Sequence, residues 1–167
     1  MRQVHGQEVT KPDLGAMANE DAVPFRRVLV PVEAMPHAAS ALSLASRIGR
    51  ASSGCLRLVH VRMWEPMAPG SGARWYPETS EEATATLDSA MTFVWARGAA
   101  ASGVILDAPR PSTAATILEE ASRWEADVMV LAARPRRILN LGVWDRVTRQ
   151  VMRSAACPVL LVYPRRP

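Results

Sequence analysis

Val28-Leu29-Val30-Pro31-Val32-Glu33 is an apolar run, rich in β-branched residues, that ends on a single carboxylate. No polar residue alternates within it. The strand it predicts is therefore buried on both faces, as in a parallel sheet covered by helices on each side. Glu33 marks its carboxyl end. Upstream, residues 1–24 mix polar, charged, Gly and Pro residues without a hydrophobic period and cannot repay the entropy of ordering. They read as a flexible leader to one domain over residues 25–167.

Downstream, Pro36 suits a first helical turn, and Leu42, Ala45 and Ile48 with Gly49 follow at helical spacing before Gly54 breaks the chain. A second strand is expected over 56–61. Residues 63–77, rich in Pro, Gly, Trp and Tyr and without a period, read as a long surface loop. Thr79 and Glu82 form the T-x-x-E capping box of a helix that carries Leu87, Met91, Val94 and Trp95. Gly103 is expected to end that helix, and Val104-Ile105-Leu106 to form a short third strand. Pro111 and Ser112 lead into a helix through Trp124, with Ser112 as its cap. Asp127 precedes a fourth strand over 128–132, a helix follows over 141–154, and a last strand runs over 157–163. The alternation βαβαβαβαβ predicts an α/β fold with one doubly wound, parallel five-stranded sheet. Ligands of such sheets bind beyond the carboxyl ends of the strands, at the switch point. The loop after the fourth strand, 132–146, lies there.

A chain of 167 residues with 49% hydrophobic residues supports one core. No apolar run approaches the ~20 residues that cross a bilayer. The N-terminus has no apolar signal core, so a cytoplasmic protein without membrane contact is expected. Cys55 and Cys157 each open a predicted strand and read as buried thiols, not as a disulfide or a metal site. A net charge of +4 and a pI near 9.8 permit an anionic partner. The arginines are not interleaved with an aromatic platform, so nucleic acid is not the expected one.

Several chemistries fail on the residues. There is no G-x-x-x-x-G-K-[ST] loop, and Gly70 and Gly72 lack a strand-to-helix context. A phosphate-receiving domain would use an acidic pair, an acceptor Asp after its third strand and a lysine after its fifth; Glu33 and Asp107 fit loosely. The only lysine is Lys11, in the leader. His5, His37 and His60 share no helix face, so no metal is expected. No His-carboxylate pair can be assigned to Ser112, and no catalytic residue is nominated.

V-L-V-P-V-E at 28–33, V-H-V at 59–61, the basic loop after Leu131 and A-A-C-P-V-L-L-V at 155–162 together resemble the universal stress protein family. The resemblance covers about residues 26–163. It implies an adenine-nucleotide alpha-hydrolase-like fold with strand order 3-2-1-4-5. In that family the first strand commonly ends in Asp near the nucleoside, and a motif G-x2-G-x9-G-[ST] after the fourth strand wraps the phosphates. Here the spacing is kept while the glycine positions hold Ala132, Pro135 and Asp145, and the hydroxyl position holds Arg146. Pro135 fixes φ and removes a backbone N–H that could donate to an oxygen. Asp145 sets a carboxylate at a helix N-terminus, the end that favours an anion. Trp144 is bulky for a phosphate loop, and Glu33 lengthens the family's Asp.

By family position, the candidate ligand contacts before the loop are Pro31, Val32, Glu33, Val61 and Leu131. Those in and after it are Ala132, Arg134, Pro135, Arg136, Asp145, Arg146 and Val147. The expectation is a non-enzymatic, dimeric stress-response or regulatory domain, with no cofactor, that does not bind ATP by the usual glycine loop. The alternative is a site in which Arg134, Arg136, Arg137 and Arg146 hold an anion or adenine nucleotide, with weak ATP hydrolysis. Arg146, Arg149 and Arg153 also share one helix face, which reads as a solvated stripe. In the family's strand order the last strand is an edge, and Pro158, Val159, Leu160, Leu161 and Val162 leave it apolar. A homodimer through that strand would cover it, with Pro164 and the arginines at 165 and 166 stopping its extension. A regulatory protein is the other partner such a role would take.

Overall fold

Alternate residues of the first strand supply two different cores, and this places every other element. The computed structural model describes residues 25–35, 38–70, 72–133 and 143–163, apart from the side chains of 143–145. The leader, Pro36, His37, Arg134, Pro135, Arg136, Arg137 and residues 164–167 lie outside them. In chain order the elements are β1 (Arg27–Pro31), α1 (Ala39–Ala51), β2 (Cys55–Pro66), β3 (Arg74–Trp75), α2 (Ser80–Trp95) and β4 (Ala100–Pro109). A 3-10 turn (Arg110–Ser112), α3 (Thr113–Arg123), β5 (Val128–Ala132), α4 (Val143–Ser154) and β6 (Val159–Val162) follow.

Val28, Val30 and Val32 pack with Leu56, Leu58, Val128 and Val130 beneath α1 and α2, where Leu42, Ala45, Met91 and Val94 meet them. Leu29 points the other way and joins Val59, Val61, Met129 and Leu131 beneath α3 and α4, against Ile117, Val147 and Val151. Successive Cβ atoms of a strand face opposite sides, so an uninterrupted apolar run requires helices on both. A fully buried side chain such as Leu29 contributes about 2 kcal/mol.

The parallel strands lie in the order β4-β2-β1-β5-β6, with Val28 opposite both Leu56 and Val128, Cys55 opposite Ala100, and Met129 opposite Val159. Counted over the parallel strands alone, this is the expected 3-2-1-4-5. β3 adds a short antiparallel return, Glu65 opposite Trp75 and Pro66 opposite Arg74. The capping box of α2 is formed: Glu82 N–H donates to Thr79 Oγ1 at 3.2 Å, and Thr79 N–H donates to Glu82 Oε2 at 2.8 Å. Asp127 knits the amino end of the sheet by accepting from the backbone of Arg26 at 2.8 Å and Arg27 at 3.1 Å.

Four expectations need correction. Residues 63–77 are not a bare loop, because β2 continues to Pro66 and pairs with β3; Trp64, Trp75 and Tyr76 favour the pleated surface that the prolines and glycines obscured. Gly103 does not end α2. Gly98, with φ at 70°, makes that turn. Gly103 lies inside β4, where an added Cβ would sit 3.0 Å from Leu87. Ser112 makes no side-chain cap; Thr113 Oγ1 instead donates to the Arg110 carbonyl at 2.9 Å. Cys55 and Cys157 are half-buried, not buried, and β6 starts two residues beyond Cys157. Burial pushes the Cys157 thiol up, against a weaker backbone hydrogen bond.

Candidate functional site

β1 sends the chain toward β2 and β4 on one side, while β5 leads to β6 on the other, so the carboxyl ends of β1 and β5 flank the switch point. A cleft opens there. Pro31 and Glu33 line it from the end of β1, Leu131 and Ala132 from β5, and Val147 from α4, joined by Ala38, Ile117 and Thr148. The structure thus gathers five of the nominated residues. Val32 and Val61 are buried in opposite core layers and act in packing. Arg134, Pro135 and Arg136 lie outside the described residues. Asp145 falls in the first turn of α4, as expected from its backbone, and its side chain is likewise outside them.

Arg146 is the nominated residue that the structure moves away. It is exposed and lines a separate shallow recess on α4 with Arg149, Gln150, Arg153 and Ser154, while Val147 and Val151 face the core. The helical period turns adjacent residues about a hundred degrees apart, so Arg146 and Val147 cannot share a wall. Ala38, Ile117 and Thr148 were missed because the family positions do not include them. Ile117 could have been found from its spacing with Ala114 and Ala121 on the buried face of α3.

Among the described residues lining the cleft, Glu33 is the one charged side chain and Thr148 adds a hydroxyl; the rest are apolar. The cleft has a volume of about 20 Å³. That admits a water-sized group, whereas a nucleotide-sized ligand fills a site of ~300 Å³ or more.

Past the carboxyl end of β1, His60 joins three elements. Its Nδ1 lies 3.0 Å from the Val32 carbonyl oxygen and its Nε2 lies 2.8 Å from Glu78 Oε2. A carbonyl only accepts, so Nδ1 carries a proton and donates it. The buried ring therefore ties the end of β1 to the residue that precedes the Thr79 cap of α2. No local pattern signals this pair, because His60 and Glu78 are separated by the segment read as a loop.

Asp107 is occupied elsewhere. It accepts from Arg62 Nε at 2.8 Å and Nη2 at 2.7 Å, and Tyr76 Oη stands 3.5 Å away with the Arg62 guanidinium over its ring at 4.4 Å. The Arg62 hydrogen bond, opposed by partial burial, holds the Asp107 carboxyl below its ordinary value of 3.8. A carboxylate with a depressed folded value stabilises the fold above its unfolded pKa and loses that contribution as pH falls through the folded one. Asp107→Asn should therefore cost about 0.5–1 kcal/mol at neutral pH and nothing in strong acid, where the wild-type carboxyl is also neutral. Urea unfolding at neutral pH and at a pH well below the lowered folded value measures this; an equal loss at both would contradict it.

Among the described residues, no three His, Cys, Asp or Glu side chains gather as metal ligands would, and no helix is long and apolar enough to cross a membrane. Parallel strands in the order 3-2-1-4-5, helices on both faces and a cleft at the switch point define the class, a doubly wound α/β domain. The chain belongs to the universal stress protein family, whose profile matches residues 24–163. It is similar to a universal stress protein from Archaeoglobus fulgidus at 23% identity and a TM-score of 0.64, over 83% of this chain and 98% of that one. It is also similar to the universal stress protein from Archaeoglobus fulgidus in complex with dAMP, at 22% identity and TM-score 0.62 over 83% and 98% of the two chains. A universal stress protein family protein from Arabidopsis thaliana with AMP bound matches at 16% identity and TM-score 0.58, over 83% and 91%. At these identities the likeness establishes the fold. No curated protein matches the sequence.

Proposed function

We propose that this universal stress protein domain is a non-enzymatic, dimeric stress-response or regulatory protein of the cytoplasm, without a cofactor, that does not bind ATP through the family's glycine loop. The observation that carries this is the residue set at the phosphate positions. Ala132, Pro135 and Asp145 stand where three glycines would bring backbone N–H groups against phosphate, and Arg146 replaces the hydroxyl. Glu33 keeps the charge of the family's Asp but lengthens the side chain, which alters its reach toward a nucleoside. Acid release of nucleotide from freshly purified protein, followed by ion-exchange chromatography, should yield none. A stoichiometric adenine nucleotide would overturn the proposal.

A second reading is favoured by the dAMP and AMP complexes of proteins with this fold. Arg134 and Arg136 could then hold a phosphate through guanidinium groups in place of the backbone. Binding that disappears in Arg134→Ala and Arg136→Ala would favour it. Slow hydrolysis would require that binding first and a positioned general base as well.

The dimer is proposed through β6, the edge next to β5. Val159, Leu160, Leu161 and Val162 carry no charge there, and an uncovered apolar edge recruits another strand. A regulatory protein is the heterologous partner proposed.

A further inference from the structure

The sheet has a second edge. β4 runs from Ala100 to Pro109 and pairs with β2 on one side; on its other side no strand pairs with it among the described residues. The register fixes which of its backbone groups face outward. Cys55 N–H donates to the Arg26 carbonyl at 2.7 Å and Val32 N–H to the Val59 carbonyl at 2.9 Å, so the odd residues of β2 face β1 and its even residues face β4. With Leu58 opposite Gly103, the even residues of β4 bond to β2. Ala101, Gly103, Ile105 and Asp107 therefore point their N–H and C=O groups away from the sheet.

Nothing in the strand blunts this edge. Residues 100–109 contain no Lys or Arg, the single proline is the last residue, and the register with β2 runs without a bulge. Asp107, the one charge, is held by Arg62. Gly103 and Asp107 are exposed, and Ala101 and Ile105 are half-buried.

We propose that this edge is an interface at which β4 pairs antiparallel with β4 of a second copy of the chain. A two-fold axis at Val104 sets Gly103 opposite Ile105 and Ala101 opposite Asp107. Every outward N–H between Ala101 and Asp107 then meets an outward C=O, and Val104 meets its own copy as a close, non-hydrogen-bonded pair. One such contact satisfies the edges of both chains, whereas a foreign strand would satisfy one; self-complementary pairing of this kind is what a two-fold interface requires. Because β4 and β6 are opposite edges of one sheet, combining it with pairing through β6 extends the sheet from chain to chain.

Proline substitution tests the two edges separately. Ile105→Pro removes an outward N–H and leaves the bonds to β2 in place, a position where edge strands accept proline. On β6, Met129 N–H donates to the Pro158 carbonyl and Ala133 N–H to the Val162 carbonyl, which turns Leu161 outward and makes Leu161→Pro the matching change. In sedimentation velocity at tens of micromolar, the wild-type chain should run as species larger than a dimer whose mass rises with concentration, each single variant as a dimer, and the double variant as a monomer. A folded Ile105→Pro with the wild-type mass would overturn the β4 pairing. If Ile105→Pro halves the mass while Leu161→Pro leaves it unchanged, the β6 proposal fails and the β4 pairing stands. Should the prolines unfold the domain, hydrogen exchange on the wild type decides: the amides of Ala101, Gly103, Ile105 and Asp107 should be protected at high concentration and open on dilution. Free exchange of these amides at both concentrations, or protection only on adding an extended peptide, would contradict it.

Discussion

Gly54→Ala is expected to destabilise the domain by about 3 kcal/mol, lowering the melting temperature by roughly 6–12 °C. Gly54 sits between α1 and β2, and a Cβ built on it would lie 2.5 Å from the Arg26 carbonyl oxygen and 2.7 Å from the Arg26 Cα. Both atoms are backbone. No rotamer change can relieve the clash, so either the start of β1 or the start of β2 has to move. That would strain the bond that starts the β1–β2 pairing, Cys55 N–H to the Arg26 carbonyl at 2.7 Å, and the one that ties the turn to α1, Gly54 N–H to the Gly49 carbonyl at 2.8 Å. Gly70, with φ at 75° and nothing within 4 Å of its would-be Cβ, is the contrast: substitution there meets conformational strain alone. Thermal melts of Gly54→Ala and Gly70→Ala separate the two causes. A Gly54→Ala melt within a degree of wild type would show that the backbone has slack at this turn.

Arg57→Ala should cost about 2–4 kcal/mol, because it strands a buried carboxylate. Glu120 on α3 has a side chain 2% exposed, and Arg57 Nε reaches its Oε1 at 2.8 Å from β2. Its other oxygen is met by Arg123, whose side chain is 66% exposed and screened by water. Arg57 also donates to Ser102 Oγ at 3.1 Å, which links β2 to β4. Removing Arg57 leaves Glu120 desolvated with a solvent-side partner only. Replacing Arg57 and Glu120 together with Met and Leu should cost far less, since no charge is then left inside. Urea unfolding of the single and double variants measures the difference; a single variant as stable as the double would contradict the assignment.

Much of this was legible in the sequence for physical reasons that can be traced to residues. An apolar run with no alternation, as at Val28 to Val32, has few solutions besides a central parallel strand, and the capping box at Thr79 and Glu82 is a local signal that needs no tertiary help. Gly103 misled because the alanines around it favour helix, and the long pairing of β4 with β2 overrode that preference. The β2 extension and β3 were hidden for the same reason, since Pro66, Pro69 and Gly70 read locally as breaks. At the site, Pro31, Glu33, Leu131, Ala132 and Val147 were found because strand ends at a switch point converge in any such fold. His60 with Glu78, and Arg57 with Glu120, were not. Their partners are distant in sequence, and only the packed sheet brings them together.

The central claim, that the altered phosphate positions do not bind ATP in the family's way, is tested most directly by isothermal titration of the wild-type chain with ATP. A variant restoring glycine at Ala132, Pro135 and Asp145 and serine at Arg146 serves as the positive control. The wild type should give no saturable heat up to millimolar ATP while the restored variant binds. Saturable micromolar binding by the wild type would contradict the account.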